Sequence, residues 1–218
     1  MLARLRRMAE LTRAAVRSMM ADVLAKQGKE LPDDDAAALD AYGTAGVASA
    51  WVKQTVVRAR EVNLYAQLEY DAKRLRDRIG VSDTRTDRHL GNWVASLNGD
   101  LRDNLLGGGV NAWSLGWTRG HTRFDDAAAE LADAATARTR GSFSKWNLNA
   151  SRLQRLGARD ALYLNLSAQA ADANLDSAEK LSVGGPYSVR AYDIGAVSGD
   201  RGAVATVELR HDVGALAS

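Results

Sequence analysis

Cysteine is missing from all 218 residues, which removes disulfide scaffolds, thiolate metal sites and cysteine nucleophiles from consideration. Its absence also suits a chain that crosses an oxidising compartment unfolded. Proline is nearly missing too, with two in the whole chain. Neither sign of charge is in large excess: 29 Lys and Arg face 27 Asp and Glu, a formal +2, and no dense basic run follows "RLRR" near the start. Nucleic acid is therefore not an expected partner. No uninterrupted apolar run approaches the roughly 20 residues of a membrane-spanning helix. The opening "MLARLRRMAELTRAAVRSMM" has a basic start, but Glu10, Arg13 and Arg17 interrupt any signal-peptide core.

Catalytic constellations are equally sparse. His89, His121 and His211 stand far apart, without metal-ligand spacing. "GGPYSVR" is not a phosphate loop, because no helix opening on Lys-Ser/Thr follows it. "GGGV" at 107–110 reads as a turn, and Asp33 to Asp35 read as a helix-capping cluster. The expectation is a protein that is not an enzyme and carries neither metal nor cofactor.

What is present falls into two parts. Residues 2 to 27 carry Leu2, Leu5, Met8, Leu11, Val16, Met19, Val23 and Leu24 at the three-and-four spacing of an amphipathic helix. "LPDDDAAALDAYG" adds a turn and a short second helix ending at Gly43. Residues 1–58 thus read as a helical segment, either a partner-docking arm or a hairpin burying its own stripe. From about residue 59 the period changes to two. Apolar residues alternate with polar ones in "VNLYAQLEYDA", "GNWVASLNGD", "NAWSLGWT", "KWNLNAS", "DALYLNLSAQA" and "AVATVELRHD". Six such segments with no intervening crossover predict a mainly β, antiparallel meander.

Alternation does not say which face meets water. A soluble sandwich buries the apolar face, whereas a membrane barrel turns it to lipid and encloses the polar face. Segments near ten residues suit tilted bilayer crossings better than soluble strands. The connections also sort by length, long at 73–88, 121–140 and 172–201 and tight at 100–108 and 152–159. Long loops at one end and short turns at the other are the outer-membrane pattern. The competing reading is a soluble β-rich carbohydrate- or protein-binding module with a helical docking arm.

The last long connection holds "GGPYSVRAYDIGAVSGDRG", residues 184–202. Gly184, Gly185, Gly195, Gly199 and Gly202 allow positive φ or close backbone approach, Pro186 fixes a turn, and Asp200 precedes the last strand. Such shaping serves either a glycine-rich surface loop with a solvated Arg190 or a loop folded back into a polar lumen. In the second case Arg190 needs carboxylate or carbonyl partners.

"KLSVGGPYSVRAY", "SGDRGAVATVELRHDV", "VNLYAQLEYDAKRLRD", "DNLLGGGVNAWSL" and "SRLQRL" resemble the barrel of two-partner secretion transporters, the haemolysin secretion/activation proteins of the ShlB/FhaC/HecB type. The resemblance covers residues 59 to 213 and leaves 1–58 unmatched. It implies that 59–218 form part of an outer-membrane β-barrel, with 184–202 as a lid loop. Val189, Arg190, Ala191 and Tyr192 match the family's Val-Arg-Gly-Tyr/Phe tetrad, with Ala in place of Gly. The resemblance implies that Arg190 docks on the barrel wall and that the loop gates passage of an unfolded exoprotein of the haemolysin or adhesin type. Outer-membrane lipid is the other implied partner. In the family the acidic partner of the arginine lies on a later strand, beyond residue 218. The candidates within this chain are therefore Glu208 and Asp212, which follow the loop directly, and Glu69 and Asp71. Tyr187 and Tyr192 are expected against the wall. Six strands with two open edges suggest a truncated arc that does not transport alone.

Overall fold

In the computed structural model of the chain, the residues described are 41–79, 84–186 and 188–214. The helix expected over 2–27 lies outside them. The chain forms β1 (Ala41–Arg58), β2 (Val62–Ile79), β3 (Thr84–Asp103), β4 (Gly109–Phe124), α1 (Ala127–Ala135), β5 (Gly141–Arg155), β6 (Asp160–Ala171), β7 (Leu181–Val183), β8 (Val197–Gly199) and β9 (Gly202–His211). Seven strands make one sheet in the order β1-β2-β3-β4-β5-β6-β9, each antiparallel to the next, and β7 pairs with β8 in a small hairpin.

Register turns the alternation of the sequence into rows across the sheet. One row reads Val52, Leu68, Ala95, Trp117, Trp146, Ala170, and the next Gln54, Ala66, Leu97, Leu115, Leu148, Ala168, Ala203. A third holds Leu64, Gly99, Trp113, Ala150, Leu166 and Ala205. This apolar face is bare: Trp93, Trp146, Val207 and Leu209 are 53%, 52%, 69% and 70% exposed. The buried apolar residues (Leu75, Leu90, Phe143, Ala171 and Leu175) belong to the opposite side, where residues 172–183 cover the sheet. We call that side the inner face. A sandwich would bury its apolar face. Here that face stays open from β1 to β9, with exposed Val52, Leu68, Trp93, Trp146 and Val207, which fits lipid as its solvent.

Two sequence expectations need correction. The helical segment expected over 1–58 contains β1 instead, so the sheet has seven strands, not six. Outer residues Gly46, Ala48, Ala50 and Val52 and inner residues Ala45, Val47, Ser49 and Trp51 are alike small or apolar, so no period of two stands out in the sequence. The long connection expected at 73–88 is also mostly strand, because β2 runs to Ile79 and β3 starts at Thr84. Strands of 18 and 20 residues exceed the roughly 9–11 that cross a bilayer. Their far ends therefore stand in water, where Arg74, Arg76 and Arg78 can replace apolar residues on the outer side and erase the hydrophobic alternation. The remaining connections keep the expected sorting. Residues 59–61, 104–108 and 156–159 are short, while 125–140 and 172–201 are long. The turn after β3 is closed by buried Gln154, whose amide donates to the carbonyls of Leu105, Leu106 and Gly108 at 3.1, 2.9 and 3.1 Å. In the long 125–140 connection, buried Asp133 accepts from the backbone N–H groups of Thr139 and Arg140.

Gly120 marks the tightest spot on the inner face. A Cβ there would lie 2.3 Å from Phe143 Cζ and 2.4 Å from Asn92 Oδ1, both of them fully buried side chains. Gly116, on the same strand and face, has nothing closer than 4.0 Å. Gly120→Ala is expected to cost about 1–3 kcal/mol by overpacking and Gly116→Ala almost nothing. Urea unfolding of the membrane-inserted protein checks the difference, and equal midpoints for the two variants would contradict this packing.

Candidate gating site on the inner face

After Ala171 the chain turns back over the inner face instead of leaving the barrel wall. Leu175 is fully buried against Phe143 and Ala171, and its backbone N–H donates to Asp200 Oδ1 at 3.0 Å. A short 3-10 turn, Ser177–Glu179, follows, with Asp176 capping it by accepting from Ala178 N–H at 2.9 Å. Two carboxylates then fix the segment to the wall. Asp176 lies 2.9 Å from Arg88 Nε, and the same guanidinium reaches Asp77 at 2.7 Å. Glu179 receives Lys73 Nζ at 2.6 Å, Asn92 Nδ2 at 2.7 Å and Lys145 Nζ at 2.9 Å. Its backbone carbonyl accepts from Lys145 Nζ at 2.7 Å and Gln169 Nε2 at 3.1 Å. These donors come from β2, β3, β5 and β6, so one glutamate ties four strands to the segment that covers them.

Burial alone would raise the Glu179 carboxyl pKa. The two ammonium groups beside it and their hydrogen bonds outweigh that and hold it below the ordinary glutamate value. A buried charge cluster is tolerable only when every member is paired, and removing one partner typically costs about 3–5 kcal/mol.

Beyond the cluster, β7 and β8 carry the chain to a tip at 184–196. The backbone there doubles back tightly, since a Cβ on Gly184, where φ is +120°, would meet Asp193 O at 2.0 Å. Gly185 and Gly195 also have positive φ. Gly199 and Gly202 sit close to Arg201 and Leu181 respectively. Pro186 lies in the turn, and Val189 O accepts from Tyr192 N–H at 3.2 Å. Ala191 is exposed. Arg190 Nη2 donates to Glu208 Oε1 at 2.7 Å, and Glu208 also binds Arg210 at 3.0 Å. The Arg190 side chain is 72% exposed.

The other sequence candidates do not meet Arg190. Asp212 accepts from Gly214 N–H, Glu69 from Gln67 and Asp71 from Ser49. Tyr192 is 62% exposed rather than set against the wall; the tip meets the wall through Arg190 and Glu208 instead. The expectation for Tyr187 lies outside the described residues. Asp176 and Glu179 escaped the sequence reading, although "NLDSAEK" carries a capping signal, Asp followed three residues later by Glu.

A partial antiparallel barrel with an apolar outside, a polar inside and an inward-folded long loop defines the class as an outer-membrane β-barrel. The family described as haemolysin secretion/activation protein ShlB/FhaC/HecB matches residues 29–217, and the chain belongs to it. Among curated proteins, the heme/hemopexin transporter protein HuxB of Haemophilus influenzae is 22% identical over 173 residues, 79% of this chain and 30% of HuxB. Among solved structures, CdiB from Escherichia coli superposes with a TM-score of 0.66 at 20% identity, over 81% of this chain and 32% of its own. CdiB from Acinetobacter baumannii gives 0.59 at 19% identity, over 81% and 30%. The chain thus spans about a third of the length of these relatives. The match from residue 29 takes in β1 and moves the start of the family region upstream of residue 59.

Because the docked Glu179 carboxyl titrates below its ordinary value of 4.5, its contribution to docking is complete above that pH and is lost as pH falls through the lower, docked value. Glu179→Ala is expected to abolish it at neutral pH. Hydrogen exchange at the amides of 173–181 measures this, with fast exchange expected in the variant and slow exchange in the wild type. Equal protection in the two would show that the cluster does not hold the segment.

Proposed function

We propose that the chain supplies part of a pore through which a large exoprotein of the haemolysin or adhesin type crosses the outer membrane, and that residues 172–202 are its lid. The observation that carries this reading is the burial of Asp176 and Glu179 on the polar face. That burial sets the loop across the space an exoprotein would occupy. Most of the exposed lining beyond the lid is uncharged. Ser167 Oγ donates to Asn149 Oδ1 at 2.8 Å and Asn98 donates to Ser96 at 3.3 Å. Amides and hydroxyls offer an extended chain brief hydrogen bonds no stronger than those of water, which suits sliding better than holding.

The lid has two attachments of unequal strength. The Asp176 and Glu179 cluster is buried and multiply paired. The Arg190–Glu208 pair at the tip is mostly exposed, in a class worth about 1 kcal/mol or less. An arriving exoprotein therefore displaces the tip first, and the Arg190 charge keeps the tip on the wall between substrates. The family tetrad at Val189, Arg190, Ala191 and Tyr192 gives that tip its defined turn. Among the described residues the outer edges of β1 and β9 have no strand partner. Unpaired backbone groups in lipid cost several kcal/mol each, so a working pore needs further strands on both sides.

Arg190→Ala in the assembled transporter is expected to lower exoprotein secretion several-fold while leaving barrel assembly, read by heat-modifiable migration, unchanged. Lys73→Ala with Lys145→Ala is expected to raise single-channel conductance in planar bilayers by freeing the whole lid. Wild-type secretion and wild-type conductance from these variants would refute the gating role.

A further inference from the structure

On the outer face the apolar band ends at the row Ala50, Tyr70, Trp93, Arg119. The next rows toward the long-loop end are Ala48, Ala72, Gly91, His121 and then Gly46, Arg74, His89, Arg123. The small residues of these rows leave a groove of about 760 Å³ across β1 to β4. Its lower wall is the aromatic pair Tyr70 and Trp93, with ring centroids 4.9 Å apart. Its upper wall is cationic, with Arg74 and Arg123 beside His121, and Arg119 stands next to Trp93 at the edge of the band.

The charge here is not balanced within the protein. Arg119 and Arg123 are exposed, and among the described residues their guanidinium groups have no hydrogen-bond or ion-pair partner. The acids at this rim are engaged elsewhere: Asp87 binds Arg85 at 2.6 Å and Asp125 binds His89 at 2.9 Å. Arg74 Nε faces His89 Nε2 at 3.3 Å and pairs with no carboxylate among the described residues. Guanidinium groups at the edge of a lipid-facing surface are favourable where planar anions meet them. Long loops mark the extracellular end of such barrels, so the leaflet at this rim is the outer one.

We propose that this groove seats a phosphorylated glycolipid of the outer leaflet, with phosphates on Arg119 and on the Arg74–Arg123 pair and the sugar over Tyr70 and Trp93. The spacing selects the headgroup. Arg74 and Arg123 lie two strands apart, about 10 Å, and Arg119 lies four residues below Arg123, about 13 Å. A sugar phosphorylated at two positions meets both ends of that triangle with extended arginines, whereas a single phosphate would have to draw the guanidinium groups together against their own repulsion. The apolar band below takes the acyl chains.

The test uses the protein extracted from the outer membrane in mild detergent, with bound lipid read by native mass spectrometry. Wild-type protein is expected to retain glycolipid carrying two phosphates, and Arg119→Ala with Arg123→Ala to retain about tenfold less or lower still, as loss of charge-assisted contacts requires. Arg102→Ala removes one guanidinium from an exposed inner-face position near the short turns and is expected to retain wild-type levels. Heat-modifiable migration verifies folding. Should the double alanine variant fail to fold, Arg119→Lys with Arg123→Lys is expected to fold and to keep part of the lipid. Equal retention in wild type and the double alanine variant overturns the site. Equal retention of a lipid with one phosphate, or displacement by inorganic phosphate at matching concentration, overturns the choice of ligand.

Discussion

A backbone in lipid has no water to turn to, so each N–H and C=O between the two interfaces must pair within the sheet. Most other features of this chain follow from that requirement. Its two prolines agree with it, since proline removes a ladder donor. Pro186, the one among the described residues, falls outside the seven long strands. Pairing runs without a break from β1 to β9, with a single shift of register between Thr55 and Val57 in β1. Once the ladder is continuous, side chains have only two directions to take, and the alternation of residue type follows from the solvent on each side.

Burial is consequently reversed relative to a soluble domain. The large apolar residues lie bare on the outside, and the best-buried side chains include Asn92, Thr122, Asp176 and Glu179 on the inside. Polar burial of this kind is costly unless satisfied. For the charged members the loop supplies partners: Asp176 adds a second carboxylate to Arg88, which Asp77 already meets, and Glu179 pairs with Lys73 and Lys145, which have no other carboxylate among the described residues. Loop and wall therefore stabilise each other through opposite charge. A contact of that kind can be switched by displacement, whereas an apolar plug would stay in place.

The sequence was legible where the two solvents differ most. Between Val62 and Ala72, and again in β4 to β6 and β9, lipid and lumen impose opposite chemistry on neighbouring residues, and the period of two is plain. It was illegible where the contrast fades. β1 carries small and apolar residues on both faces, and the ends of β2 and β3 carry charges on both, so neither shows alternation although both are paired throughout. The tip at 184–196 could be read from its glycines and from Arg190, and face parity put Glu208 beside Asp212 among the candidate partners, of which the structure brings Glu208 to Arg190. The deeper attachment could not be read, because Lys73, Asn92, Lys145 and Glu179 come from four separated stretches that only the register brings together. Distance along the chain hides such clusters from any local pattern.

Odd and even positions of one strand meet different solvents, lipid outside and, inside, an aqueous face partly covered by residues 172–183. The absence of native cysteine makes this directly measurable by single substitutions along β6, from Tyr163→Cys to Gln169→Cys, each carrying a nitroxide spin label in the membrane-inserted protein. Collision with oxygen, which concentrates in lipid, is predicted to peak at 164, 166 and 168, and collision with a water-soluble paramagnetic complex to peak at 163, 165 and 167, with 169 shielded beneath residues 172–183. Uniform access of the water-soluble reagent along the strand, with no two-residue period, would contradict the assignment of this sheet to the membrane.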